Sequence, residues 1–234
     1  MRFTNQYRRK RVQDASQRAR YNARMSNKSA RWRVIGSKGC GSAIVEAALV
    51  VAEIPYDREE VDYSTPSPAR DRLLALNPLG QVPTVVLPDG TVMTESLALV
   101  LHLDELAPDV GLVPAVGDPL RPVALRWLTF LIAAVYPTFT YGDEPEKWVG
   151  EAAPALREST HAHRRRLWSQ LETIAGSPWF LGATCSALDL YVGVMTRWRP
   201  NRPWFAEHAP RLHAIAVALD DDPRLRELWA ENLD

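Results

Sequence analysis

Apolar residues fall into two kinds of stretch along this chain, short runs early and longer helix-spaced sets later. Trp32 to Gly36 is a short apolar run that predicts a strand. The loop Ser37-Lys38-Gly39-Cys40-Gly41 follows, and Ser42 is placed to cap a helix over Ala43 to Ala52. Ile54-Pro55-Tyr56 ends that helix and leads into a second strand through Val61, and a short helix is expected near Ala69 to Leu76. Thr84 to Leu87 and Thr91 to Met93, joined by Pro88-Asp89-Gly90, read as a β-hairpin. Glu95-Ser96 then opens a run in which Leu97, Leu99, Val100, Leu101, Leu103 and Leu106 predict a helix.

Pro108, Gly111, Pro114, Gly117, Asp118, Pro119 and Pro122 crowd together next, which is the composition of a linker. Helical runs are predicted beyond it over 120–135, 154–175, 187–198, 212–219 and 223–229. Ser186-Ala187-Leu188-Asp189 has the spacing of a capping box with an acid in the Glu or Gln position, and Cys185 with Leu190 can form its hydrophobic staple. Ser186 and Asp189 are therefore assigned to folding, and Cys185 to the core.

Composition changes this picture in two places. With 234 residues, 46% hydrophobic content and eight tryptophans, the chain can bury a full core as one large domain or two modest ones. Its zero net charge hides an asymmetry, because residues 1–31 hold ten Lys or Arg and a single acid, Asp14. Such an arm could bind nucleic acid or anionic membrane, act as a transit segment, or dock on the acidic body. Met25-Ser26-Asn27-Lys28 reads as an alternative start, so the arm is taken as an upstream extension and nucleic acid is not expected as a partner. No run of about 18 apolar residues is present, so no membrane span is expected. Two distant cysteines and no secretory signal argue for a reducing, cytoplasmic setting without a disulfide. His161 and His163 beside Arg164-Arg165-Arg166 lack a third ligand at fitting spacing, so they read as a solvated helix face and no metal is expected.

The candidate chemistry gathers between Asn77 and Ser96. Pro83 stands at a strand entrance, where Val82-Pro83 can be cis and the Val82 N–H and C=O can offer an extended ligand a β-like pair of hydrogen bonds. Glu95-Ser96 puts a hydroxyl at a helix N-terminus, a natural seat for a carboxylate. This segment resembles the glutathione site of the glutathione S-transferase family, of bacterial type.

The resemblance implies an α+β thioredoxin-like domain over 32–108, a linker over 109–118 and an all-α helical domain over 119–234. It implies that Gln81, Val82, Pro83, Glu95 and Ser96 bind glutathione, the co-substrate. The family's thiol-activating group lies between the first strand and the first helix. Ser37 falls where serine classes keep their hydroxyl, whereas cysteine classes would place a thiol at Gly41, one residue beyond Cys40. Ser37 is the first candidate, Cys40 the second, and a main-chain N–H of the loop the third. An acceptor site is expected in the helical domain at Tyr136, Phe139 and Tyr141, where Pro137 should interrupt a helix and turn the rings toward a cleft. Trp148, Trp198, Trp204 and Phe205 are expected in the core. The implied activity is conjugation of the glutathione thiolate to an electrophilic apolar molecule by a homodimeric, cytoplasmic detoxification enzyme. Three alternatives stay open: a Cys40-dependent thiol transferase or peroxidase, a noncatalytic protein binding glutathione or a hydrophobic ligand, and a nucleic-acid-binding regulator that would use the basic arm.

Overall fold

A central strand, β1 (Trp32–Gly36), organises the first half of the molecule, for which a computed structural model describes residues 31–232. All of the basic arm except Arg31 lies outside the described residues. β1 pairs in parallel with β2 (Tyr56–Glu60), Trp32 opposite Tyr56, and antiparallel with β3 (Thr84–Val86), Val34 opposite Val85. β4 (Val92–Met93) completes the hairpin with β3, so the sheet order is β2-β1-β3-β4. A parallel pair needs a crossover, and α1 (Ser42–Val51) supplies it.

Eight of the ten residues of α1 are buried, and it packs on α3 (Ser96–Leu106) on one side and on a helix of the second half on another. A helix apolar on every face belongs in the middle of a molecule. Its one charge, Glu46, is fully buried beside Arg58 of β2. Among the described residues β2 is an edge strand, and it carries Asp57, Arg58, Glu59 and Glu60, a charged edge that discourages further pairing. Ser42 does not cap α1: it is the first helical residue, Gly41 takes the capping position, and the Ser42 hydroxyl donates to the Ser37 carbonyl at 3.3 Å instead. α2 (Pro68–Leu76) closes a small second cluster with Ile35 and Val61.

The second half is helical. α4 (Arg121–Phe130) runs through a π turn (Leu131–Val135) into α5 (Tyr136–Gly142). Pro137 therefore does not interrupt the helix, contrary to expectation. The Tyr136 N–H reaches back to Leu131, widening the ladder just before the residue that has no N–H to give. Arg121–Gly142 is long and apolar enough to cross a membrane by length and composition alone, yet it packs Trp127, Leu128, Leu131, Val135 and Phe139 into the core. α6 (Glu146–Val149), α7 (Ala153–Ile174), α8 (Ala187–Met195), α9 (Arg202–His208), α10 (Pro210–Asp220) and α11 (Arg226–Asn232) follow. α6 and α9 were not expected.

One apolar cluster runs from Trp32 through α1 and α3 to Trp229, joining both halves. Three contacts hold the helical half to the sheet half, two of them at Gly39 in the loop before α1 and one at Arg58 of β2. Asn232 C=O accepts from the Gly39 N–H at 2.8 Å, its Oδ1 accepts from Arg58 at 2.9 Å, and Trp198 Nε1 donates to the Gly39 carbonyl at 2.7 Å.

Candidate functional site

A cleft of ≈ 540 Å³ opens between the two halves, above the N-terminal ends of α1 and α3. One wall is the sheet side, with Cys40, Gly41, Tyr63, the segment 80–83 and Thr94 to Ser96. The facing wall is helical, and Ile132, Tyr136, Phe139 and Trp148 give it its apolar character.

The Val82-Pro83 bond is cis, and the Val82 main chain makes no hydrogen bond to another described residue. Gln81 lines the cleft too, but its carbonyl is already taken by Thr84 Oγ1 at 2.8 Å and Asn77 Nδ2 at 3.1 Å, which fix the shape of this turn. Glu95 has φ 65°, a left-handed conformation costly for a side chain of this kind and of the sort held at ligand sites. That twist leaves the Glu95 side chain exposed at the cleft while Ser96 begins α3. The Ser96 hydroxyl lies 2.8 Å from the Tyr191 hydroxyl of α8. A hydroxyl can donate and accept at once, so Ser96 keeps capacity for a ligand while Tyr191 orients it.

The loop before α1 differs from its sequence reading. Ser37 is not among the residues lining the cleft. It sits behind Cys40, whose N–H donates to the Ser37 carbonyl at 3.2 Å. Cys40 does face the cleft, with Sγ 3.6 Å from the Tyr63 hydroxyl. Burial pushes the Cys40 thiol up from its ordinary pKa, more than hydrogen bonds with Tyr63 and Ser37 bring it down, and the charge of Glu60 adds to the rise. A thiol held protonated is a poor nucleophile. Burial, with Asp189 next in effect, pushes the Cys185 thiol up to about 12, and both cysteines are free.

Of the three aromatics assigned to an acceptor, Tyr136 and Phe139 line the cleft and Tyr141 does not. Tyr141 packs edge-on against Trp148 at 4.8 Å, and Trp148 takes its place in the wall, exposed and not in the core as expected. The run Arg164-Arg165-Arg166 needs correction as well: Arg165 and Arg166 are exposed, but Arg164 is buried. Its guanidinium donates to Thr138 Oγ1 at 2.9 Å, to the Thr138 carbonyl at 2.6 Å and to the Arg199 carbonyl at 3.2 Å. The same group lies 3.7 Å over the Phe139 ring and so braces the cleft wall from behind.

Tyr63 and Tyr191 carried no motif and were missed. Tyr191 left one signal, a polar-tipped ring inside the otherwise apolar helix Ala187-Leu188-Asp189-Leu190-Tyr191-Val192, whose hydroxyl has to find a partner when buried.

Comparison with known proteins agrees with this geometry. Residues 42–106 match the family model for the glutathione S-transferase N-terminal domain. The chain is 36% identical over 202 residues to an uncharacterized GST-like protein, YncG, of Escherichia coli strain K12, covering 86% of this chain and 98% of that one. A sphingomonad glutathione S-transferase solved in complex with glutathione superposes with a TM-score of 0.72 at 25% identity, covering 86% of this chain and all of the other. A glutathione transferase homologue from Sulfitobacter, with bound glutathione, superposes at 0.75 with 21% identity over 88% of this chain.

Proposed function

The chain belongs to the glutathione S-transferase family, and we propose that it is an enzyme joining the glutathione thiolate to an electrophilic, apolar small molecule. The observation that carries this reading is the arrangement of the sheet-side wall. It sets the Val82 main chain, which bonds to no other described residue, the Ser96 hydroxyl at the start of α3 and the N-terminal end of α1 along one cleft. An extended tripeptide would pair its main chain with Val82 and seat its γ-glutamyl carboxylate at Glu95-Ser96, where the α3 N-terminus favours negative charge. Its thiol then points at the Cys40-Gly41 corner. The opposite wall of Ile132, Phe139 and Trp148 suits an apolar acceptor.

The work asked of the protein is modest. A thiol of pKa about 8.5 must fall by about two units to be largely ionised at neutral pH, which requires ~2.7 kcal/mol. One hydrogen bond to a charged sulfur contributes about 1.5 to 3 kcal/mol, and a helix N-terminus contributes further. The thiol proton leaves to solvent, the sulfur lone pair forms the new bond to carbon, and the acceptor releases a leaving group or takes up a proton. The raised pKa of Cys40 weighs against its serving as the attacking thiol of a thiol transferase.

A thiol-consumption screen with purified protein, glutathione and a panel of halides, epoxides, enones, disulfides and peroxides tests the reading. Turnover confined to disulfides or peroxides and abolished in Cys40→Ala contradicts it, as does binding without turnover of any acceptor. Ser96→Ala is expected to weaken glutathione binding by about 1.5 to 3 kcal/mol, the worth of one charge-assisted hydrogen bond. Calorimetric titration checks this, and wild-type affinity in the variant removes Ser96 from the site. The reading also carries a homodimer in the cytoplasm, which sedimentation of the purified chain and imaging of a tagged copy test.

A further inference from the structure

We propose that the hydroxyl of Tyr136, delivered from the helical half of the molecule, is the donor that holds the glutathione thiolate. This rests on the glutathione reading above and supplies the one group that reading leaves unassigned.

The first observation is a glycine with no backbone reason to be one. Gly41 has φ −67° and ψ −9°, an ordinary helical conformation open to any residue. What forbids a side chain is the other domain. A Cβ on Gly41 would overlap the Tyr136 hydroxyl oxygen and come within 3.2 Å of Cζ of the same ring. The place from which a loop side chain would emerge, at the N-terminal end of α1, is filled by a phenol from α5.

The second observation is that this hydroxyl is free to act. Tyr136 lines the cleft, and its hydroxyl bonds to no other described residue. Burial raises its pKa, and Tyr191, Cys40, Tyr63 and Glu95, the ionisable groups facing it, act in the same direction. It therefore keeps its proton across the working range and stays a donor.

The third is that the ring cannot turn away. It stands edge-on to Trp198 at 5.6 Å and to Phe139 at 6.3 Å. Trp198 in turn holds the loop by its bond to the Gly39 carbonyl, so donor and loop share one anchor. Of the three groups the loop itself offers, neither side chain competes well: Ser37 lies outside the cleft lining, and Cys40 is a thiol already engaged with Tyr63. In the step assigned here the glutathione thiol gives its proton to water and the thiolate accepts the Tyr136 O–H; no covalent bond to the protein forms.

The test is the ultraviolet absorbance of the bound thiolate against pH for the full chain, with the affinity for S-methylglutathione, which has no thiol, measured alongside. Tyr136→Phe removes one oxygen and should move the midpoint up by about one to two pH units and slow conjugation near neutral pH by about 10- to 100-fold. Affinity for S-methylglutathione should not change. Ser37→Ala and Cys40→Ala should leave the midpoint where it is. A Tyr136→Phe titration that coincides with wild type, or a midpoint that moves in Ser37→Ala instead, overturns the assignment while leaving the glutathione reading intact. A wild-type chain that binds neither glutathione nor S-methylglutathione overturns that reading, and the tyrosine's role with it.

Discussion

Replacing Asp189 with alanine is expected to lower the stability of the chain by about 3 to 5 kcal/mol, since two buried N–H groups and a hydroxyl lose their acceptor together. Asp189 is fully buried at the first turn of α8. Its carboxylate accepts from the Ser186 N–H at 2.7 Å, from the Ser186 hydroxyl at 3.0 Å and, through the other oxygen, from the Phe180 N–H at 2.7 Å. Burial pushes its pKa up to about 6, so at neutral pH it is still the carboxylate that makes these bonds. α8 packs against both α1 and α10, so the cost falls on the core shared by the two halves. Urea unfolding of Asp189→Ala and Asp189→Asn checks the argument. The asparagine variant keeps one acceptor oxygen and should lose clearly less; equal losses would show that volume, not hydrogen bonding, matters here.

Arg58→Ala is the second large effect, expected near 3 kcal/mol at neutral pH. Removing one partner of a buried ion pair leaves the other charge uncompensated, a cost of roughly 3 to 5 kcal/mol, and the lower figure suits an Arg58 side chain that still reaches solvent. Glu46 is 0% exposed with Arg58 Nε 3.1 Å away, so it is the group left behind. Arg58 also carries Asn232 Oδ1 and Glu60, so its loss loosens α11 from β2. Burial already raises the Glu46 pKa, with Arg58 opposing it. An acid whose folded pKa lies above its unfolded value binds its proton more tightly in the fold, so stability falls as pH rises through that interval and recovers as pH drops. The gap between wild type and Arg58→Ala should therefore narrow as the solution is acidified from neutral toward the ordinary Glu range. A gap independent of pH would show that Glu46 is not the source of the cost.

The sheet half was legible because its signals are local. The run at Trp32 to Gly36, the helix after the Cys40-Gly41 loop and the turn at Pro88-Asp89-Gly90 each fit within a few residues, and the strands and helices lie within a residue or two of where they were read. The capping box at Ser186 and Asp189 was legible for the same reason. What the pattern could not carry was any pairing made across the fold. Nothing near Ser96 points to Tyr191, nothing near Cys40 points to Tyr63, and the reason for a glycine at 41 lies in Tyr136, far along the chain. Pro137 misled because a proline inside a helix reads as a break, and only the π turn ahead of it shows how the ladder absorbs it. Arg164 misled because two exposed arginines follow it, while a helix turns each successive side chain by a quarter circle or more.

The most direct test of the central claim, that this cleft takes up glutathione and ionises its thiol, is the number of protons released on binding. It is read by titrating the full chain calorimetrically in buffers of different ionisation enthalpy near neutral pH. Free glutathione, with a thiol pKa of about 8.5, is mostly protonated there, so a site that binds the thiolate must release close to one proton per glutathione and none per S-methylglutathione. That difference is the predicted result. Saturable binding of both ligands with the same proton count would contradict thiolate formation, and no saturable heat with either would contradict the site itself.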